Sequence, residues 1–240
     1  LRGNALALLP LYYIGSLPFV LGFLFFWGDM SRSAFAAGRC AAAALGLALL
    51  FAWMKTWQSL FMDRIRSMLS LEPHRLPTIR SLWRMIYVQS VVQPTGWIIL
   101  PLATMLTLPL AWVFAFYQHL SLMDNTHQIG LSAAVGRAVR QCRSWPKQNH
   151  VLLLILSAFG TVVFLNILIG LFTLPYLFKT LFGFDTVFTL TWRSLFNTTY
   201  LAVSLGLSYL CVDPLIKVVY TLRSFYDESI RTGEDLSVEL

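Results

Sequence analysis

The chain has 240 residues, of which 57% are hydrophobic, 15% aromatic and only 12% charged. Ordinary globular domains carry about 25% charged residues, so this composition and a mean hydropathy of +0.66 exclude a soluble domain and specify an all-α, polytopic integral membrane protein. The net charge of +7 sits beside apolar runs rather than on a soluble module. It therefore points to anionic lipid headgroups, or to simple topology control, and not to nucleic acid.

A membrane-spanning helix needs about 20 apolar residues. Residues 4–27 form the first predicted span, although Pro10 and Pro18 lie inside it. Each interior proline removes a helix hydrogen bond, which membrane helices tolerate because neighbouring helices re-satisfy the freed carbonyls. The pattern Leu9-Pro10-Leu11 to Leu17-Pro18 recurs as Leu100-Pro101-Leu102 to Leu108-Pro109. It reads either as a duplication or as a coincidence of two common residues. The numbering opens on Leu1-Arg2-Gly3-Asn4 without a Met or a cleavable signal peptide, so the natural N-terminus is expected upstream.

Residues 34–62 are the second span. Ala36, Ala37, Gly38, Ala41–Ala44 and Gly46 give it a small-residue face expected to pack against a partner helix. Trp53, Lys55 and Trp57 read as an interfacial girdle, with Lys55 snorkelling to the headgroups. Residues 77–90 form an amphipathic helix with Ile79, Leu82, Trp83 and Ile86 on one face and Arg80 and Arg84 on the other. Residues 93–123 are apolar throughout and form either a hairpin breaking near Thr107-Leu108-Pro109 or one kinked span. A second amphipathic helix follows at 130–146, with Leu131, Val135, Ala138, Val139 and Cys142 opposite Arg137, Arg140 and Arg143. Both suit helices lying on the membrane plane. Spans at 150–182 and 186–212 come next, the latter interrupted by Arg193, and a third interfacial helix at 214–230 leads to a polar tail at 231–240. The total is about six membrane segments, with five as the alternative.

Charge separates the two counts. With one kinked span at 93–123, the Arg137–Lys147 cluster falls opposite the Arg64–Arg84 cluster, against the positive-inside rule. With a hairpin, both clusters and the N-terminus face the cytoplasm, leaving Arg32, Arg39, Lys179 and Arg193 outside or embedded.

Few residues suggest chemistry. Asp213 and Lys217 stand four apart and form a candidate functional ion pair. The plainer reading makes Asp213-Pro214 the N-cap and first residue of a new helix. His119, late in an apolar run, is a candidate cofactor ligand without a second mid-span His among His74, His127 and His150. Cys40, Cys142 and Cys211 follow no metal or disulfide spacing. No nucleophile, zinc or phosphate-loop motif is present, so neither a catalytic residue, a metal nor a cofactor is expected. Arg80, Arg84, Arg137, Arg140 and Arg143 are candidate headgroup contacts.

Ser132-Ala133-Ala134-Val135-Gly136-Arg137-Ala138-Val139-Arg140, then Lys147-Gln148-Asn149 and Val151–Leu156, give the chain a loose resemblance to the membrane-domain type of glycerophosphoryl diester phosphodiesterases and to related uncharacterised bacterial polytopic families. That resemblance implies membrane architecture and a bacterial source, but no activity, because the phosphodiesterase domain itself has no counterpart here. The expectation is a non-enzymatic scaffold or accessory subunit of a bacterial inner-membrane assembly, with lipid and protein partners. The alternatives are a permease-like subunit with a site at the proline-broken segments, or a cofactor-holding subunit of an electron-transfer complex using His119. A cysteine introduced as Arg137→Cys should react with a membrane-impermeant maleimide only from the cytoplasmic side; labelling only from outside would refute the hairpin.

Overall fold

The computed structural model describes residues 5–70, 78–106, 110–122, 130–183 and 197–233. Among them there is helix and no strand: α1 (Ala5–Arg32), α2 (Ala36–Leu69), α3 (Ile79–Val92), a 3-10 turn (Gln93–Thr95), α4 (Gly96–Leu106), α5 (Leu110–Leu120), α6 (Leu131–Ser144), α7 (Pro146–Phe182) and α8 (Thr198–Thr232). Four of these, α1, α2, α7 and α8, are long and apolar enough to cross a membrane. Helices α4 and α5 have 11 residues each; at about 1.5 Å per residue neither reaches across a core of about 30 Å.

The prolines sit inside helices without ending them. In α1, Pro18 denies a hydrogen bond to the carbonyl of Ile14, and the Trp53 indole of α2 donates to that oxygen at 3.1 Å. In α8, Pro214 frees the carbonyl of Leu210, which accepts from the Tyr13 hydroxyl of α1 at 3.3 Å. At these two prolines a neighbouring helix replaces the lost bond, as hydrocarbon surroundings favour. This corrects the expected boundary at Asp213-Pro214. One helix runs from Thr198 to Thr232, so Asp213 is not an N-cap. The first part of the expected span at 186–212, with Arg193, lies outside the described residues, as do Thr107-Leu108-Pro109, His74, His127 and the end of the tail.

The bundle is closed by α1 between α2 and α8. A Cβ on Gly15 would lie 2.3 Å from Trp57 Cβ, and one on Gly206 would lie 3.0 Å from Val20. Backbones therefore approach closely at Gly15 and Gly206, and the Ala-rich start of α2 does not supply the contact. Contrary to expectation that face points outward, with nothing within 4 Å of a Cβ placed on Gly38 or Gly46. Helix α7 lies antiparallel to α8: Tyr200 of α8 donates to the Leu168 carbonyl, and Arg223 reaches Asn149 and the Trp145 carbonyl.

Helix α8 is apolar outside and polar inside. Ser204, Ser208, Asp213, Lys217, Thr221 and Ser224 are buried, whereas Leu201, Leu205, Leu215 and Ile230 are exposed. Water would favour the reverse arrangement; lipid favours this one.

Between α3 and α6 the chain turns back on itself. Gln93 donates to the Tyr117 carbonyl at 3.1 Å and to Ser121 Oγ at 3.0 Å, and Thr95 pairs with the Tyr117 hydroxyl at 2.7 Å. The start of α4 therefore lies beside the end of α5. Helix α5 runs across the bundle rather than along it. Trp112 meets His150 of α7, Phe114 and His119 meet Tyr220 of α8, and Leu122 packs with Leu8, Phe61 and Ile65 of α1 and α2. Helix α6 covers α5 through Ala138 and Cys142.

The C-termini of α2 and α8, the N-terminus of α7, α3 and α6 meet at one end of the bundle, where Arg66 pairs with Glu228 at 2.7 Å and Arg231 with Asp227 at 2.8 Å. Most of the arginines gather at that end. The Gly15 contact makes a discriminating test. Gly15→Ala should destabilise the detergent-solubilised protein by about 1–3 kcal/mol, the usual cost of overpacking. Gly28→Ala, with open space around its Cβ, should leave the unfolding midpoint almost unchanged.

Candidate functional site

Asp213 and Lys217 on α8 and Lys55 on α2 are charged side chains within the helical bundle. Helical spacing puts Tyr209, Asp213 and Lys217 on one stripe of α8, and that stripe faces inward. Asp213 Oδ2 accepts from the Tyr12 hydroxyl at 2.8 Å and from Gln58 Nε2 at 3.0 Å. Gln58 Nε2 also lies 2.7 Å from the Tyr209 hydroxyl and 3.4 Å from Ser16 Oγ. Lys217 Nζ stands 4.0 Å from Asp213 Oδ1 and donates to Gln118 Oε1 of α5 at 2.7 Å. Lys55 Nζ donates to Gln58 Oε1 at 3.2 Å and lies 5.5 Å from the centroid of the Phe51 ring. Tyr12, Ser16 and Gln58 have no exposed surface and Lys217 has 1%. One network thus joins α1, α2, α5 and α8.

Beside this network lies a cavity of about 730 Å³ between α1, α2, α4, α5 and α8, within the range typical of small-molecule sites. Its walls are mainly apolar, including Phe19, Phe23, Phe51, Leu100 and Pro101, and its polar patch comprises Lys55, Gln93, Gln118 and Tyr209. Trp97 and Leu205 on its rim are 66% and 58% exposed, so it opens on the apolar flank of the bundle. Among the described residues no Asp or Glu lines it; Asp213 stands behind Tyr209 and Gln58. The two proline-containing segments do meet here, α1 through Phe19 and Phe23 and α4 through Pro101.

The structure brings Asp213 and Lys217 together and adds partners that sequence reading missed: Tyr12, Ser16, Gln58, Gln118 and Tyr209. Their signal was available, since amides at Gln58, Gln89, Gln93 and Gln118 interrupt otherwise apolar helices. Lys55 does not follow the interfacial reading. It turns inward to Gln58 while its neighbour Trp53 binds the Ile14 carbonyl. His119 is 2% exposed and packs edge-on to Tyr220, with ring centroids 5.5 Å apart. Among the described residues, no three His, Cys, Asp or Glu side chains group as a metal site. Arg80, Arg140 and Arg143 are exposed and Arg84 and Arg137 half-buried. Cys142 is buried under α5, and burial raises its thiol above the ordinary value; Cys40 and Cys211 are exposed.

No protein-family model, curated protein or solved structure matches this chain. The site is therefore read from its chemistry alone. Removing one partner of a buried ion pair typically costs about 3–5 kcal/mol, while replacing both by apolar groups is far cheaper. Asp213→Leu should accordingly lower the unfolding midpoint sharply, and adding Lys217→Met should recover part of that loss. A double variant no more stable than the single one would show that the two groups do not act as a pair.

Proposed function

We propose that this is a permease-like membrane protein that takes an amphipathic substrate from the bilayer into the cavity between α1, α2, α4, α5 and α8. The observation that carries this reading is the cavity itself. It has aromatic and aliphatic walls, a polar patch at Lys55, Gln118 and Tyr209, and a mouth on the apolar flank rather than at a bundle end. An amphipathic molecule satisfies both parts at once, and a water-soluble solute satisfies neither the walls nor the entrance. The reading requires binding and passage only, with no covalent step.

The reading has a topological counterpart. Four helices cross the bilayer, and the α4–α5 segment, whose arms are each too short to cross, begins and ends on the same side. The charges then sort cleanly: the arginines of α3 and α6 lie with Arg64, Arg66, Arg223 and Arg231, leaving Arg32, Arg39 and Lys179 on the other side. The positive-inside rule assigns the crowded side to the cytoplasm, together with the N-terminus. A bacterial inner membrane suits this arrangement. The exposed Ala-rich start of α2 favours a second reading, an accessory subunit that seats a partner helix there.

Native mass spectrometry of the full chain released from detergent tests the first reading. Wild type should retain a lipid-like ligand. Ala202→Trp, which projects a large ring into the cavity from α8, should abolish retention while leaving the protein folded. Undiminished retention in a folded Ala202→Trp variant would sink the permease-like reading.

A further inference from the structure

The polar patch of the cavity has a sign. Lys55 offers three donor hydrogens, and its hydrogen bond to Gln58 Oε1 uses one of them. Among the described residues no carboxylate lies within ion-pair distance of its ammonium group; Asp213 directs its hydrogen bonds to Tyr12 and Gln58 instead. Gln118 commits its oxygen to Lys217, which leaves its NH2 group for the cavity it lines. The Tyr209 hydroxyl accepts from Gln58 and directs its own hydrogen to the Met54 thioether at 3.4 Å. Sulfur is a weak acceptor, so that hydrogen is readily redirected. These three groups are therefore donors, one of them a cation; Gln93, also in the patch, spends its NH2 on Tyr117 and Ser121, and among the described residues no acidic side chain lines the space.

A cation flanked by apolar walls in a membrane is costly without a counter-charge. Lys55 has an amide and a ring face, and the carboxylate that reaches it electrostatically, Asp213, is shared with Lys217, so the three groups keep one net positive charge. Building on the permease-like reading, we infer that the cavity binds an anionic amphiphile, its carboxylate or phosphate head on Lys55, Gln118 and Tyr209. Its apolar tail runs along Phe19, Phe23 and Phe51 toward Trp27. Position supports the assignment. Lys55 lies near the middle of α2 (Ala36–Leu69) and lines the cavity, so a head bound there meets a fixed positive partner. Two oxygens of such a head meet the ammonium and the Gln118 amide, and the Tyr209 hydrogen swings from sulfur to oxygen.

Palmitate and hexadecanol share a chain and differ in head charge, which makes them the probes. Their binding to the full chain in detergent, measured by native mass spectrometry or calorimetry, should favour palmitate by about 10- to 100-fold, the range of one charge-assisted hydrogen bond. Lys55→Met should erase the preference while hexadecanol still binds; Lys55→Arg should keep it. Acetate in large excess should not displace palmitate, because a head without a tail gains nothing from the walls. If wild type binds both probes equally, or Lys55→Met keeps the preference, the anionic assignment is overturned and the cavity reading survives. If folded Ala202→Trp binds both probes as wild type does, the cavity reading itself fails. Should Lys55→Met not fold, the wild-type preference and its retention in Lys55→Arg carry the test.

Discussion

Hydrocarbon offers no hydrogen bonds, so every polar group carried into the bundle has to find its partner within the protein. That constraint explains the otherwise unrelated contacts of this fold. The Ile14 carbonyl freed by Pro18 meets the Trp53 indole, and the Leu210 carbonyl freed by Pro214 meets the Tyr13 hydroxyl. Asp213 receives Tyr12 and Gln58, and Lys217 receives Gln118. Each satisfaction comes from a different helix. Polar groups therefore specify which helices are neighbours, a task that uniform apolar surfaces in lipid perform poorly.

The same rule gives the cavity its character. Ser204, Ser208 and Thr221 bond back to carbonyls of α8 itself, at Tyr200, Ser204 and Lys217, and so present no unsatisfied polarity. Lys55 lies at the margin of the network, linked to it by one amide, and faces the cavity. The buried Asp213–Lys217 pair is held by Tyr12, Gln58 and Gln118, whereas Lys55 lines the cavity.

Much of this was legible in the sequence. Composition identified the membrane class, and helical periodicity located α3 and α6 close to their observed limits. The arginine distribution favoured a returning segment at 93–123 over a straight one. Asp213 and Lys217 stood out because charges are rare in apolar runs. The rest was hidden for physical reasons. Asp before Pro resembles a helix start, and only the Tyr13 contact across the bundle shows how the helix continues through it. Lys55 between two tryptophans resembles an interfacial girdle until Gln58, one turn along, is seen to take its ammonium. The alanines of α2 advertise close packing, but Gly15 and Gly206 deliver it, because only a Cα without a side chain lets Trp57 and Val20 approach. Tyr12 and Gln118 belong to the site through contacts spanning 201 and 99 residues, beyond any local pattern.

The transverse course of α5 bears on how the molecule is assembled. Helix α5 is synthesised before α7 and α8, yet it packs on both and gives Gln118 to Lys217 of the last helix. Until α8 enters the membrane, that amide lacks its Lys217 partner, although α1, α2, α6 and α7 already offer their contacts to this segment. The buried amide of the hairpin is therefore satisfied only by the last helix made.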